Sequence, residues 1–133
     1  MATVKKFEEL KCWQVSRELA KEVYDCTRTG SFAKDYGLKD QMQRAVVSIG
    51  SNSAEGFERD SGSELVKFLG YAKGSAGELR SQLYTAFDVG YLTDEMFMAL
   101  SEKSSYVAAL ISRFRDSVKR SQVSGLRSKD AVR

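Results

Sequence analysis

The densest reactive chemistry in this 133-residue chain is cationic. From position 113 onward stand Arg113, Arg115, Lys119, Arg120, Arg127, Lys129 and Arg133, against Asp116 and Asp130. That end therefore carries +5 and everything before it −2. Basic side chains gathered in this way can hold a phosphate backbone. They would equally complement the negative end of a helix dipole. With the cations of the central region, the candidate nucleic-acid contacts are Arg113, Arg115, Lys119, Arg120, Arg59, Lys73 and Arg80. No pattern for sequence-specific readout accompanies them.

Catalytic chemistry has little to draw on. The chain has no histidine, which removes the Glu-x-x-His di-metal sites of helical bundles and Arg…His ribonuclease motifs. It leaves a single-chain zinc site almost without ligands, so no metal and no cofactor is expected. Cys12 and Cys26 lie fourteen residues apart on one predicted helix, about 21 Å along its axis. That is far beyond the roughly 7 Å a disulfide tolerates between Cα atoms. Serines are plentiful, but nothing places a base beside one. The stretch GYAKGSAG sits inside a helical pattern and follows no strand, so it is a poor phosphate cradle. A non-enzymatic protein is the expectation.

The elements that must position these residues are helices. Pro is absent, hydrophobic content is 42% and charged content 29%, as suits one globular domain. No apolar run approaches a membrane span, and no apolar segment follows the first lysines, so a cytoplasmic protein is expected. The periodicity predicts an all-α, antiparallel up-down four-helix bundle over residues 1–120, with helices at about 8–27, 38–59, 63–88 and 93–120. Residues 121–133 read as a flexible basic tail. In the first helix Cys12, Trp13, Ser16, Leu19, Ala20, Val23, Cys26 and Thr27 share a face, with Trp13 an apolar anchor. Gly30 suits a helix end, Ser63 a cap for the third helix, and Gly90 then Thr93 a stop and a start.

The helices can be aligned on one another. Setting the second against the third antiparallel pairs Phe57 with Leu65, Ser53 with Leu69, Val46 with Ala76, Met42 with Leu79 and Leu38 with Leu83. The same alignment sets Arg44 opposite Glu78 and Glu55 opposite Lys67. The heptad of the fourth helix then pairs Leu83 with Leu100, Leu79 with Ser104, Ala76 with Val107, Ala72 with Ile111, Leu69 with Phe114 and Leu65 with Val118. Gly70, Gly74, Gly77 and Ser81 form a small-residue stripe on the third helix. Interior glycines cost about 1 kcal/mol each against Ala. Close approach of another backbone would offset that, either within the chain or at an interface between protomers.

Two blocks carry a resemblance. Gln41, Arg44, Ala45, Ser48, Ile49, Asn52, Ala54, Glu55, Gly56 and Phe57 form the first, and Phe68, Leu69, Ala72, Gly74, Ser75, Glu78 and Leu79 the second. Phe7, Leu10, Trp13-Gln14, Tyr36-Gly37-Leu38 and Gly90-Tyr91-Leu92 add to them. Together they resemble the bacterial 23S rRNA intervening-sequence proteins, four-helix bundles encoded inside ribosomal RNA insertions. Within that likeness Arg44, Ser48, Asn52, Glu55, Gly56, Gly74, Ser75 and Glu78 are motif positions. Gly50 stands where the family usually has Pro, and Ser53 where it has an apolar residue, so any kink in the second helix should be weaker. The resemblance implies a homo-oligomer, a closed homopentameric ring. It also implies kinship with accessory variability proteins of diversity-generating retroelements, which bind nucleic acid and a reverse transcriptase. RNA is thus the expected partner, and a protein docked without nucleic acid the alternative.

Overall fold

The computed structural model describes residues 4–123, and among these there is no strand. Four helices form the protein: α1, Lys11–Thr27; α2, Tyr36–Glu58; α3, Gly62–Asp88; and α4, Asp94–Val123. Neighbours in sequence pack on each other, and α1 closes back on α4, giving the expected up-down bundle. All the residues paired above between α3 and α4 are buried, Leu65, Leu69, Leu79, Leu83, Val107, Ile111 and Val118 among them. Each large aliphatic side chain so buried contributes about 1.5–3 kcal/mol.

Helix ends follow local hydrogen bonding. Phe7–Glu9 form a 3-10 turn, and Leu10 is extended, so α1 starts at Lys11 rather than at Glu8. Asp35 caps α2, its carboxylate accepting from the Leu38 amide at 3.1 Å, and the helix begins two residues before Leu38. The cap of α3 is Ser61, extended at φ −118°, whose Oγ accepts from the Glu64 amide at 3.2 Å. Ser63 falls inside the first turn instead. Thr93 caps α4 through the Met96 amide, and Gly90 at φ +84° stops the chain before it. Helix α4 continues to Val123; the predicted tail beyond lies outside the described residues.

The second and third helices are held by unusually small spacing. A Cβ on Gly56 would lie 2.7 Å from Phe68 Cβ and 3.2 Å from Leu65 Cδ1. Further along, Ser75 Oγ donates to Ser48 Oγ at 3.0 Å, and Asn52 Nδ2 donates to the same oxygen at 2.8 Å. These contacts reproduce the predicted alignment of α2 with α3. The two predicted ion pairs are not made: Glu55 is bound by Arg59 at 2.8 Å on its own helix, and Arg44 and Glu78 pair with nothing. Both are exposed, and little is gained by holding long side chains together in water.

Helix α2 runs unbroken through Gly50. A side chain there would meet Ser16 Oγ at 2.8 Å, with the Trp13 ring behind it. Gly50 thus leaves room for α1 to pack close to α2. Trp13 is half-buried, with Phe7 edge-on at 5.2 Å and Arg17 over its ring at 5.7 Å. Lys103 ties α4 to α1, donating to Glu22 and Glu18, and its ammonium pKa is raised by the Glu22 hydrogen bond. At the bundle end, Tyr91 stacks on buried Phe32 at 4.7 Å and donates to the Asp35 carboxylate at 2.9 Å.

Two expectations follow. Gly56→Ala should lower stability by about 1–3 kcal/mol through overpacking, although Ala is the better helix former. Gly74→Ala, with nothing within 4 Å of its Cβ, should raise it by roughly 0.5–1 kcal/mol. Urea unfolding reads both signs. Burial pushes the Cys12 thiol from 9.0 to about 11. Between those values the unfolded thiol ionises and the folded one does not, so stability should fall as pH rises, on the order of 2 kcal/mol from this group. Cys12→Ala should flatten that part of a stability–pH profile.

Candidate nucleic-acid interface

The predicted basic residues separate into distinct groups. Arg59 is engaged by Glu55 and lies 4.8 Å over the Phe68 ring at the α2–α3 turn. Arg120 donates to Ser117 on its own helix, and Arg113 borders a cleft with Glu9, Lys11 and Leu110 beside the start of α1. The remaining four, Lys73, Arg80, Arg115 and Lys119, occupy the seam between α3 and α4.

That seam is built from two antiparallel stripes. Helical periodicity places Gly70, Lys73, Gly77, Arg80 and Tyr84 along one side of α3, at alternating spacings of three and four. Ser101, Ser105, Ala108, Ser112, Arg115 and Lys119 do the same on α4. Two contacts anchor the stripes against each other. The Arg115 guanidinium lies against Gly70, 3.6 Å from where a Cβ would stand. At the other end the Tyr84 ring meets Phe97 of α4 edge-on, 5.0 Å between centroids.

At Gly70 the missing side chain lets the Arg115 guanidinium lie against α3. Neither stripe contains a carboxylate; Glu78 and Asp116 lie farther round their helices. Every ion pair among the described residues lies elsewhere, at Asp25, Glu55 or Lys103. Two buried polar atoms on the seam, Arg115 Nε and Ser101 Oγ, have no hydrogen-bond partner. A buried guanidinium N–H without an acceptor costs more than 1 kcal/mol. Composition alone pointed to the α4 end; the convergence with Lys73 and Arg80 needed the α3–α4 alignment.

The other motif positions serve packing or face outward. Ser75 donates to Ser48 across the two helices, Asn52 braces Ser48 along α2, and Gly56 makes the close approach. Arg44 and Ser48 line a surface cleft of about 490 Å³ with Tyr24, Asp40, Gln43, Val47 and Ser51. In the glycine stripe only Gly70 meets another part of the chain. Gly74 and Gly77 have nothing within 4 Å, and Ser81 is exposed, so contacts inside the protomer do not offset those two glycines.

The profile of the 23S rRNA-intervening sequence protein family matches residues 8–113. A crystal structure from Bacteroides thetaiotaomicron, described as a protein of unknown function from the S23 ribosomal protein family, superposes with a TM-score of 0.72. It is 21% identical, and the alignment covers 78% of this chain and 97% of that one, which establishes a shared fold. No curated protein matches significantly. With the bundle, the Ser48–Ser75 link and the Gly56 contact in place, the chain belongs to the 23S rRNA-intervening sequence protein family.

Proposed function

We propose that this protein is a non-enzymatic, self-associating scaffold that holds RNA by its phosphate backbone, with the α3–α4 seam as the contact surface. The observation that carries this reading is the helical alignment of four cations that form no ion pair among the described residues, with no carboxylate in either stripe. Phosphates would neutralise the seam cations and release counterions from the chain they belong to. Association in a closed ring of five would repeat the seam and bring net charge to about +15, so that weak contacts add through avidity. The exposed Gly74, off the seam stripe, is the point at which a second copy could approach closely. A cytoplasmic location fits the two buried, unpaired thiols.

A second reading keeps the scaffold and replaces RNA with a protein. It is favoured by apolar side chains left exposed on the α2–α3 hairpin, Val47 on α2 and Tyr71 on α3.

Binding to structured RNA across a salt series separates the two. Replacing Lys73, Arg80, Arg115 and Lys119 together by Ala should abolish binding near 50 mM salt, while Arg113→Ala with Arg120→Ala should weaken it only modestly. Absence of binding by the unaltered protein at that salt would leave the protein-scaffold reading. For self-association, Gly74→Leu should preserve helicity but reduce the solution mass to that of a monomer. An unchanged assembly would remove the glycine stripe from the interface.

A further inference from the structure

The seam ends in an aromatic ring that phosphate binding does not use. Tyr84 is 60% exposed although its edge is held by Phe97, and Phe97 is itself stacked on Phe87 at 4.6 Å. Three rings thus form a rigid cluster, half-buried at Phe87 and Phe97, with the Tyr84 ring open to solvent at its outer end. One turn along the same side of α3 comes Arg80, then Lys73, then Gly70 with Arg115 laid across it, and Lys119 beyond.

From Tyr84 to Lys119 the stripe extends about 27 Å at 1.5 Å per residue. That suits a short run of nucleotides, on the order of the four that the smallest single-strand sites cover. An exposed aromatic ring at the end of a cationic track has a defined use in such sites. A base can stack on it, at about 1–3 kcal/mol, while the backbone follows the cations. A base-paired duplex presents the same phosphates but keeps its base faces inside the stack.

We infer that the α3–α4 seam binds single-stranded nucleic acid, with one base stacked on Tyr84 and the adjoining phosphates held by Arg80, Lys73, Arg115 and Lys119. This rests on the reading of the seam as a phosphate-binding surface and adds the strandedness of the ligand. Stacking accepts any base, so no strong sequence preference is expected.

Fluorescence anisotropy of the full chain tests it, using labelled oligouridine, oligothymidine and an RNA duplex, each about 12 units long, near 50 mM salt. Oligouridine should bind more tightly than duplex. Tyr84→Ala should weaken oligouridine binding roughly tenfold and leave duplex binding unchanged, while Tyr84→Phe, which keeps the ring, should bind as the parent does. Helical circular dichroism of both variants guards against loss of fold. Equal affinity for oligothymidine, or a preference for the ribose chain, each supports the stacking seam and separates DNA from RNA as its source. If Tyr84→Ala binds oligouridine undiminished, or duplex binds more tightly than single strand, the inference is overturned while the phosphate-binding reading stands. If the unaltered protein binds no probe, both fall.

Discussion

Close contact between α2 and α3 sets the geometry on which everything else rests. Gly56 admits the root of Phe68 where any side chain would collide, and about two turns farther from the hairpin the Ser48–Ser75 hydrogen bond locks the same two helices. A helix so fixed can neither slide nor roll. Its buried row, Leu65, Leu69, Ala72, Ala76, Leu79 and Leu83, must then face the core, and α4 can dock only where its own heptad meets that row. The side of α3 left bordering α4 is therefore determined, and with it the neighbours of Lys73, Arg80 and Tyr84.

On that border the energetics run against the isolated protomer. Like charges spaced at one or two helical turns repel within a Debye length of about 8 Å at physiological salt. A buried guanidinium N–H without an acceptor adds a desolvation cost. Off the seam, Lys21, Arg28, Arg59 and Lys103 form ion pairs, Lys103 with two glutamates across α1 and α4. Stability alone would favour a carboxylate on the seam, and none is there. An unrelieved positive track is what a phosphate-binding surface requires.

Much of this was legible in the residues. The apolar period of 3.6 located four helices, and matching Leu69 to Phe114 and Ala76 to Val107 aligned them correctly because burial enforces register. What escaped notice depended on atoms distant in sequence or on the competition of near-equivalent groups. Ser61 and Ser63 are equally good caps on paper, and only the extended backbone at Ser61 decides between them. Arg44 and Glu78 face each other in the alignment yet stay apart, since water serves each as well. The Lys103 clamp and the Tyr91–Asp35 hydrogen bond join residues far apart in the chain, so no local pattern announces them. The glycine stripe could be recognised but not placed. A Cβ at Gly74 or Gly77 would meet open space among the described residues, whereas Gly70 meets Arg115.

Membership of the 23S rRNA-intervening sequence protein family accounts for the bundle and its motif positions, while the seam is a property of this chain's own side chains. The most direct measurement of where anions bind is an NMR titration of the labelled protein with oligouridine, following backbone amides and arginine Nε–H resonances. The seam account predicts that the Arg115 Nε–H moves first and furthest, with shifts confined to the facing sides of α3 and α4. Shifts centred on Arg113 and Arg120, or on the Arg44 cleft, with Arg115 unmoved, would contradict it.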